Sequence, residues 1–268
     1  MAGGLDFSQI APMQAVLSVL FGGLIGMLLG LVGGGGSILT VPILVYVIGL
    51  NVQAATATSL AIVGASALAG SFPHAKANRV NVRVAVFFGF FGIAGAFAGT
   101  WLNYLVSGPW ILLLFGLLML LVAARMWRRG RATAAQAAQT QHIGWKAPVA
   151  GLAVGLLTGF FGVGGGFLIV PALALALGMP MVLAIGTSLI IIAINSASGL
   201  AAHASAGEFN APVALLFIVG GMAGGLAGGR LAGRVNEQVL ARAFSILVAV
   251  VGLYLFVRNG ALIASGHA

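Results

Sequence analysis

The chain has 268 residues, of which 61% are hydrophobic and only 6% charged. A water-soluble domain carries about 25% charged residues, so this chain cannot cover a surface facing water and reads as an all-α polytopic membrane protein. Its net charge of +9, from 12 Lys and Arg against 3 acids, falls mostly in connecting loops, which marks membrane topology rather than a nucleic-acid footprint.

In chain order, no Lys or Arg precedes the first apolar run, so it lacks the basic flank of a signal peptide and reads as a retained helix. Apolar segments lie near 12–32, 37–49, 52–72, 83–106 and 109–126, and again near 148–161, 167–178, 181–202, 211–229 and 238–257. Between the two sets runs Arg125-Met126-Trp127-Arg128-Arg129-Gly130-Arg131 and a polar tract to Lys146. The expected organisation is therefore an N-terminal transmembrane repeat over 1–126, a basic cytoplasmic linker over 127–147 and a C-terminal transmembrane repeat over 148–268.

The two sets are copies. Sliding 26–102 onto 155–231 at a constant offset of 129 residues makes about 30 of 77 positions identical without a gap. The retained positions include Pro42 with Pro171, Thr58-Ser59-Leu60 with Thr187-Ser188-Leu189, His74 with His203 and Asn81 with Asn210. Repeated halves with interrupted hydrophobic segments are a recurrent transporter plan.

The segments at 37–49 and 167–178 are short. Thirteen helical residues reach about 20 Å against a hydrocarbon core of about 30 Å. Counted as crossings, they give five segments per half, both termini outside, and inverted repeats; counted as re-entrant, they give four per half and parallel repeats. Charge favours inversion. The linker and the loops with Lys76, Arg79 and Arg83 and with Arg230 and Arg234 belong inside, whereas the loop at 203–210, repeat partner of the basic loop at 74–81, carries only Glu208 and belongs outside.

Each short segment follows a glycine run, Gly33-Gly34-Gly35-Gly36-Ser37 and Gly162-Val163-Gly164-Gly165-Gly166. Consecutive glycines break a helix, and bare backbone at membrane depth survives only inside protein or beside a water-filled cavity. Successive NH groups at a helix start form an anion site that needs no cationic side chain. The candidate substrate-binding residues are Gly33, Gly35, Gly36, Ser37, Thr58 and Ser59 with Gly162, Gly164, Gly165, Gly166, Thr187 and Ser188. Ser66, Asn195, Ser196 and Ser198 are candidates for the same path. His74 and His203, the repeated ionisable pair, are candidates for coupling or gating beside Asn81 and Asn210, although Asn before a helix is also a cap. The ladders Gly22/Gly26/Gly30, Gly151/Gly155/Gly159 and Gly220/Gly224/Gly228 read as helix-packing surfaces. Trp101, Trp110, Trp127 and Trp145 fall at segment ends, as interfacial belts do.

With no cysteine and no acid inside an apolar segment, thiolate chemistry, carboxylate relays, metal cages and paired-acid catalysis have no residues to use. No cofactor, metal or enzymatic activity is expected; the expected partners are a small anion and the bilayer.

The duplicated pattern of Gly-x-Gly-Gly-Gly, an aliphatic stretch and Pro, with Thr-Ser-Leu some sixteen residues later, resembles the sulfite exporter TauE/SafE family. The resemblance covers nearly the whole chain, with Ser37 in place of a glycine of the first motif. It implies export of sulfur-containing anions such as sulfite or organosulfonates across the bacterial inner membrane. The expected function is alternating-access export with the site at the two breaks; a passive anion channel and a membrane scaffold are the alternatives.

Overall fold

The computed structural model describes residues 12–103, 108–129, 145–161, 166–203 and 210–265. Among them every regular element is helical: α1 (Pro12–Val32), α2 (Ser37–Tyr46), α3 (Val52–Lys76), α4 (Val82–Asn103), α5 (Gly108–Arg129), α6 (Lys146–Phe161), α7 (Gly166–Pro171), α8 (Met181–His203), α9 (Ala211–Ala232) and α10 (Glu237–Ala264). A 3-10 turn over Gly34–Gly36 leads into α2, and a π-helical turn over Ala172–Ala176 continues α7 beyond Pro171, where the missing proline NH loosens the ladder. Seven helices (α1, α3, α4, α5, α8, α9 and α10) are long and apolar enough to cross a membrane. The expected all-helical polytopic class is what the fold shows. The helices lie on the expected apolar runs, but α3 continues to Lys76 and α10 to Ala264, beyond the expected ends at 72 and 257, α2 stops at Tyr46 short of 49, and α5 and α6 extend into the two ends of the expected linker; 130–144 lies outside the described residues.

Local chemistry sets the ends. Asn51, Asn210 and Asn236 each cap the helix that follows, their Oδ1 accepting from the NH groups of Ala54, Val213 and Gln238 at 2.7, 3.1 and 2.9 Å. Both short helices finish alike: the Leu50 NH closes onto the Leu44 carbonyl at 3.0 Å and the Met179 NH onto that of Leu173 at 3.1 Å, around glycines at φ 84° and 72°.

The described residues divide into two units that cut across the halves of the chain. The first takes the chain through Val82 together with Ile185–Arg234; the second takes Arg83–Ala184 with the C-terminal segment from Val235. In the first unit α1 lies parallel to α9, Gly22 against Phe217, Gly26 against Gly221 and Gly30 against Gly225, with carbonyls so close that a methyl group would overlap them. Helix α3 runs parallel to α9, Gly70 against Gly225 and His74 beside Gly229, and antiparallel to α8, Leu60 meeting Gly199, Gly64 meeting Ser196 and His74 meeting Gly186. Helices α3 and α8, which the 129-residue offset relates in sequence, thus run in opposed directions.

In the second unit the counterpart of the α1–α9 pair is α6 against α4, with Gly151, Gly155 and Gly159 on Phe88, Gly92 and Ala96. Helices α5 and α10 pack antiparallel, Gly116 against Gly252 and Leu113 near Gly260. The Phe115 ring packs against Phe161 and Phe167 at centroid distances of 5.1 and 5.2 Å. Val250, Leu253, Tyr254 and Val257 on α10 remain exposed, a face suited to hydrocarbon rather than water.

Candidate functional site

The first glycine run forms a reversal at the end of α1. The Gly33 NH still donates to the Leu29 carbonyl at 2.8 Å, but Gly33 itself takes φ 78° and ψ −134°, a conformation closed to residues with a side chain. After this single residue the chain turns helical again and doubles back. Gly36 sits where a methyl group would meet the Ile25 carbonyl at 2.7 Å and the Leu29 NH at 2.9 Å. The opening turn of a helix leaves its NH groups without intrahelical acceptors, so the run presents backbone donors at the end of α1. The hydroxyls beside it point elsewhere: Ser37 Oγ donates to the Gly34 carbonyl at 2.6 Å, and Thr40 Oγ1 to that of Gly36 at 3.3 Å.

One turn before the reversal, Gly30 meets His74 at the end of α3. His74 is fully buried, with Nε2 3.0 Å from the Gly30 carbonyl oxygen. A carbonyl only accepts, so Nε2 carries the hydrogen; Nδ1 has no hydrogen-bond partner among the described residues. The His74 Cβ lies beside Gly186 near the start of α8, and the Arg79 carbonyl approaches the same glycine. Next along α8, the Thr187 Oγ1 accepts from the Asn81 NH at 3.0 Å. Gly30, His74, Gly186, Thr187 and Asn81 thus form one chain of contacts at one end of the first unit.

The repeat of this bond lies at the other end. Thr58 Oγ1 accepts from the Asn210 NH at 3.4 Å, and Thr58 precedes His74 by sixteen residues, about 24 Å along α3. Thr187 of the second repeat thus shares its end of the first unit with His74 and Gly30, while Thr58 lies at the other end of α3. Ser59 and Ser188 donate within their own helices, to the carbonyls of Thr56 at 2.8 Å and Ile185 at 2.7 Å. Asn210 acts as a cap, while Asn81 contributes its NH to Thr187.

Of the path candidates, Ser66 Oγ and Asn195 Oδ1, equivalent in the repeat, are buried without a hydrogen-bond partner among the described residues, and Ser196 packs on Gly64. Ser198 is half-buried further along α8. In the second copy Gly166 opens α7 and His203 closes α8, whereas Gly162, Gly164 and Gly165 lie outside the described residues. Sequence reading missed Gly186. Its signal was present, a glycine next to the retained Thr187-Ser188 pair, but only the approach of the Arg79 carbonyl shows why the position must be bare.

The polar groups near the reversal are backbone NH donors, an imidazole and carbonyls, with no carboxylate among them. Such a set suits a ligand that accepts hydrogen bonds.

The model of the sulfite exporter TauE/SafE family matches residues 18–255. A protein of Xylella fastidiosa named "Probable membrane transporter protein" is 41% identical over 252 residues, covering 92% of this chain and 96% of its own. Similarly named proteins of Bacillus subtilis and Methanocaldococcus jannaschii are 24% and 25% identical, over 90% and 89% of this chain and 98% and 94% of theirs. No solved structure matches the chain.

Proposed function

Since the chain belongs to the sulfite exporter TauE/SafE family and is a multi-pass membrane transporter, we propose that it carries a small sulfur-containing oxyanion, sulfite or an organosulfonate, outward across the bacterial inner membrane by alternating access. The observation that carries this reading is the glycine reversal at Gly33–Gly36, with backbone donors offered at the end of α1 and braced there by the His74 contact to Gly30. An oxyanion has several acceptor oxygens and gains from such donors without a neutralising side chain, whereas a cation would find no carboxylate. Gly33, Gly35 and Gly36 are the binding groups in this reading, with Gly162 and Gly164–Gly166 as their counterparts. Thr187 and Thr58, each holding an asparagine NH at an opposite end of the α3–α8 pair, act as latches.

The two latches supply a mechanism. Opening one end breaks the Thr187–Asn81 bond while Thr58–Asn210 stays closed, and the reverse opens the other end, so that a site is never open to both sides. An interior-negative potential favours outward movement of a monoanion by about 2.3 kcal/mol per 100 mV, enough to drive export without a second energy source.

The test is uptake and counterflow of labelled sulfite in proteoliposomes at set potential and pH, with sulfoacetate and sulfate as competitors. Saturable flux, competed by sulfoacetate and showing counterflow, is expected. Flux that does not saturate makes the protein a channel, and no anion flux from folded protein removes the substrate assignment.

A further inference from the structure

A second polar region of the first unit lies at the ends of α3 and α9, where Gly229 meets Pro73 and His74. The end of α3 and the end of α9 border an open pocket of about 360 Å³ lined by Phe72, Pro73, Lys76, Arg79, Arg230 and Arg234, together with Ala77 and Gly229. Four cations and no acid surround it. Arg79 is held in place, its guanidinium packed over Gly233 at the carbonyl end of α9, where a cation is favoured by the helix dipole. Lys76, Arg230 and Arg234 are exposed and able to turn toward a ligand.

Loop cations that merely set topology need water around them, not a shared cavity. A water molecule occupies roughly 10–15 Å³ as accessible volume, so this space is far larger than a small ion fills. Its approach is apolar. Leu68 and Phe72, one helical turn apart, are 62% and 63% exposed, and Lys76 follows one turn later on the same face. The stripe reads apolar, apolar, cationic toward the end of the helix, which is the order of an acyl chain followed by a phosphate.

We infer that this cavity is a binding site for the headgroup of an anionic phospholipid, its phosphate held by Lys76, Arg230 and Arg234 and its acyl chain lying along Leu68 and Phe72. Basic pockets between transmembrane helices on the positively charged face of a membrane protein take such headgroups. The shared chemistry is a phosphate oxyanion, and the apolar approach favours the lipid as its source over free phosphate. This site is independent of the anion-transport reading.

The experiment is native mass spectrometry of the full chain, delipidated in mild detergent and then supplied with phosphatidylglycerol or phosphatidylcholine, with folding checked by gel filtration and circular dichroism. Retention of phosphatidylglycerol at least tenfold above phosphatidylcholine is expected, lost in the Arg230→Gln/Arg234→Gln double variant and weakened in Lys76→Gln. Millimolar inorganic phosphate or sulfite should leave the bound lipid in place. Equal retention of the two lipids, full retention by the double variant, or displacement by either free anion overturns the proposal, the last by making the cavity a free-oxyanion site. Should the double variant not fold, the wild-type lipid preference and Lys76→Gln decide.

Discussion

The two packing units share one device and differ in what they bury. In each, a glycine-lined helix from the front of one repeat lies parallel to a helix from the back of the other, α1 on α9 and α6 on α4, through contacts repeated at the same 129-residue offset. Yet among the described residues most buried polar side chains lie in the first unit, which holds Ser18, Thr40, Thr58, Ser59, Ser66, Ser71, His74, Thr187, Ser188 and Ser196, while the second has Ser245 and Asn259, each bonded to a carbonyl of its own helix. The second unit is closed instead by the Phe115, Phe161 and Phe167 rings. Small residues supply the scaffold in both; in the first unit most of the buried polar side chains ride on α3 and α8.

The sharpest way to break this comparison is to attack the shared device. Gly26→Leu and Gly155→Leu each force side-chain atoms into a carbonyl of the facing helix, Gly221 and Gly92 respectively, with no flexible neighbour to yield. Both should lower the yield of monodisperse protein on gel filtration by about tenfold or more, in line with the severest core changes. Normal folding of one and not the other would show that the units are not built alike.

A smaller effect is expected at the reversal. Gly33→Ala places a side chain at φ 78° and should cost about 1–3 kcal/mol, seen as a lowered Tm in detergent, with sulfite counterflow falling further than the Tm shift accounts for. Unchanged counterflow would detach the reversal from transport.

The smallest and most discriminating change concerns the latches. Thr187→Val and Thr58→Val each remove the acceptor of an asparagine NH and should cost about 1 kcal/mol, with similar Tm shifts for the two. Ser245→Ala in the second unit, where the hydroxyl serves only its own helix, should leave both Tm and flux near wild type. A Ser245→Ala Tm shift as large as that of either threonine variant would erase the distinction between a polar unit and a packing unit.

Much of the fold was legible in sequence because apolar runs with Gly, Pro and Asn at their ends are local signals. The bounds of α1, the stop of α2 ahead of Gly49 and the cap at Asn210 each rest on residues within one turn of the feature. The partners of the glycine ladders were not legible, since a small-residue stripe states that a backbone comes close without stating which one. Nor was the position of Thr187: that it lies at the end of α3 with His74, while Thr58 lies at the other end of the same 25-residue helix, follows from the antiparallel course of α3 and α8, which no local signal states.

The exchange of helices between repeats also fixes an order of events during synthesis. Gly22 on α1 finds its partner at Phe217 on α9, 195 residues later. At about 5–20 residues per second the first helix waits on the order of ten to forty seconds in the bilayer with its glycine face uncovered. For that interval its bare carbonyls and close-approach surface are open to any other helix inserted nearby, and the N-terminal half of the chain alone has nothing with which to close its own first unit.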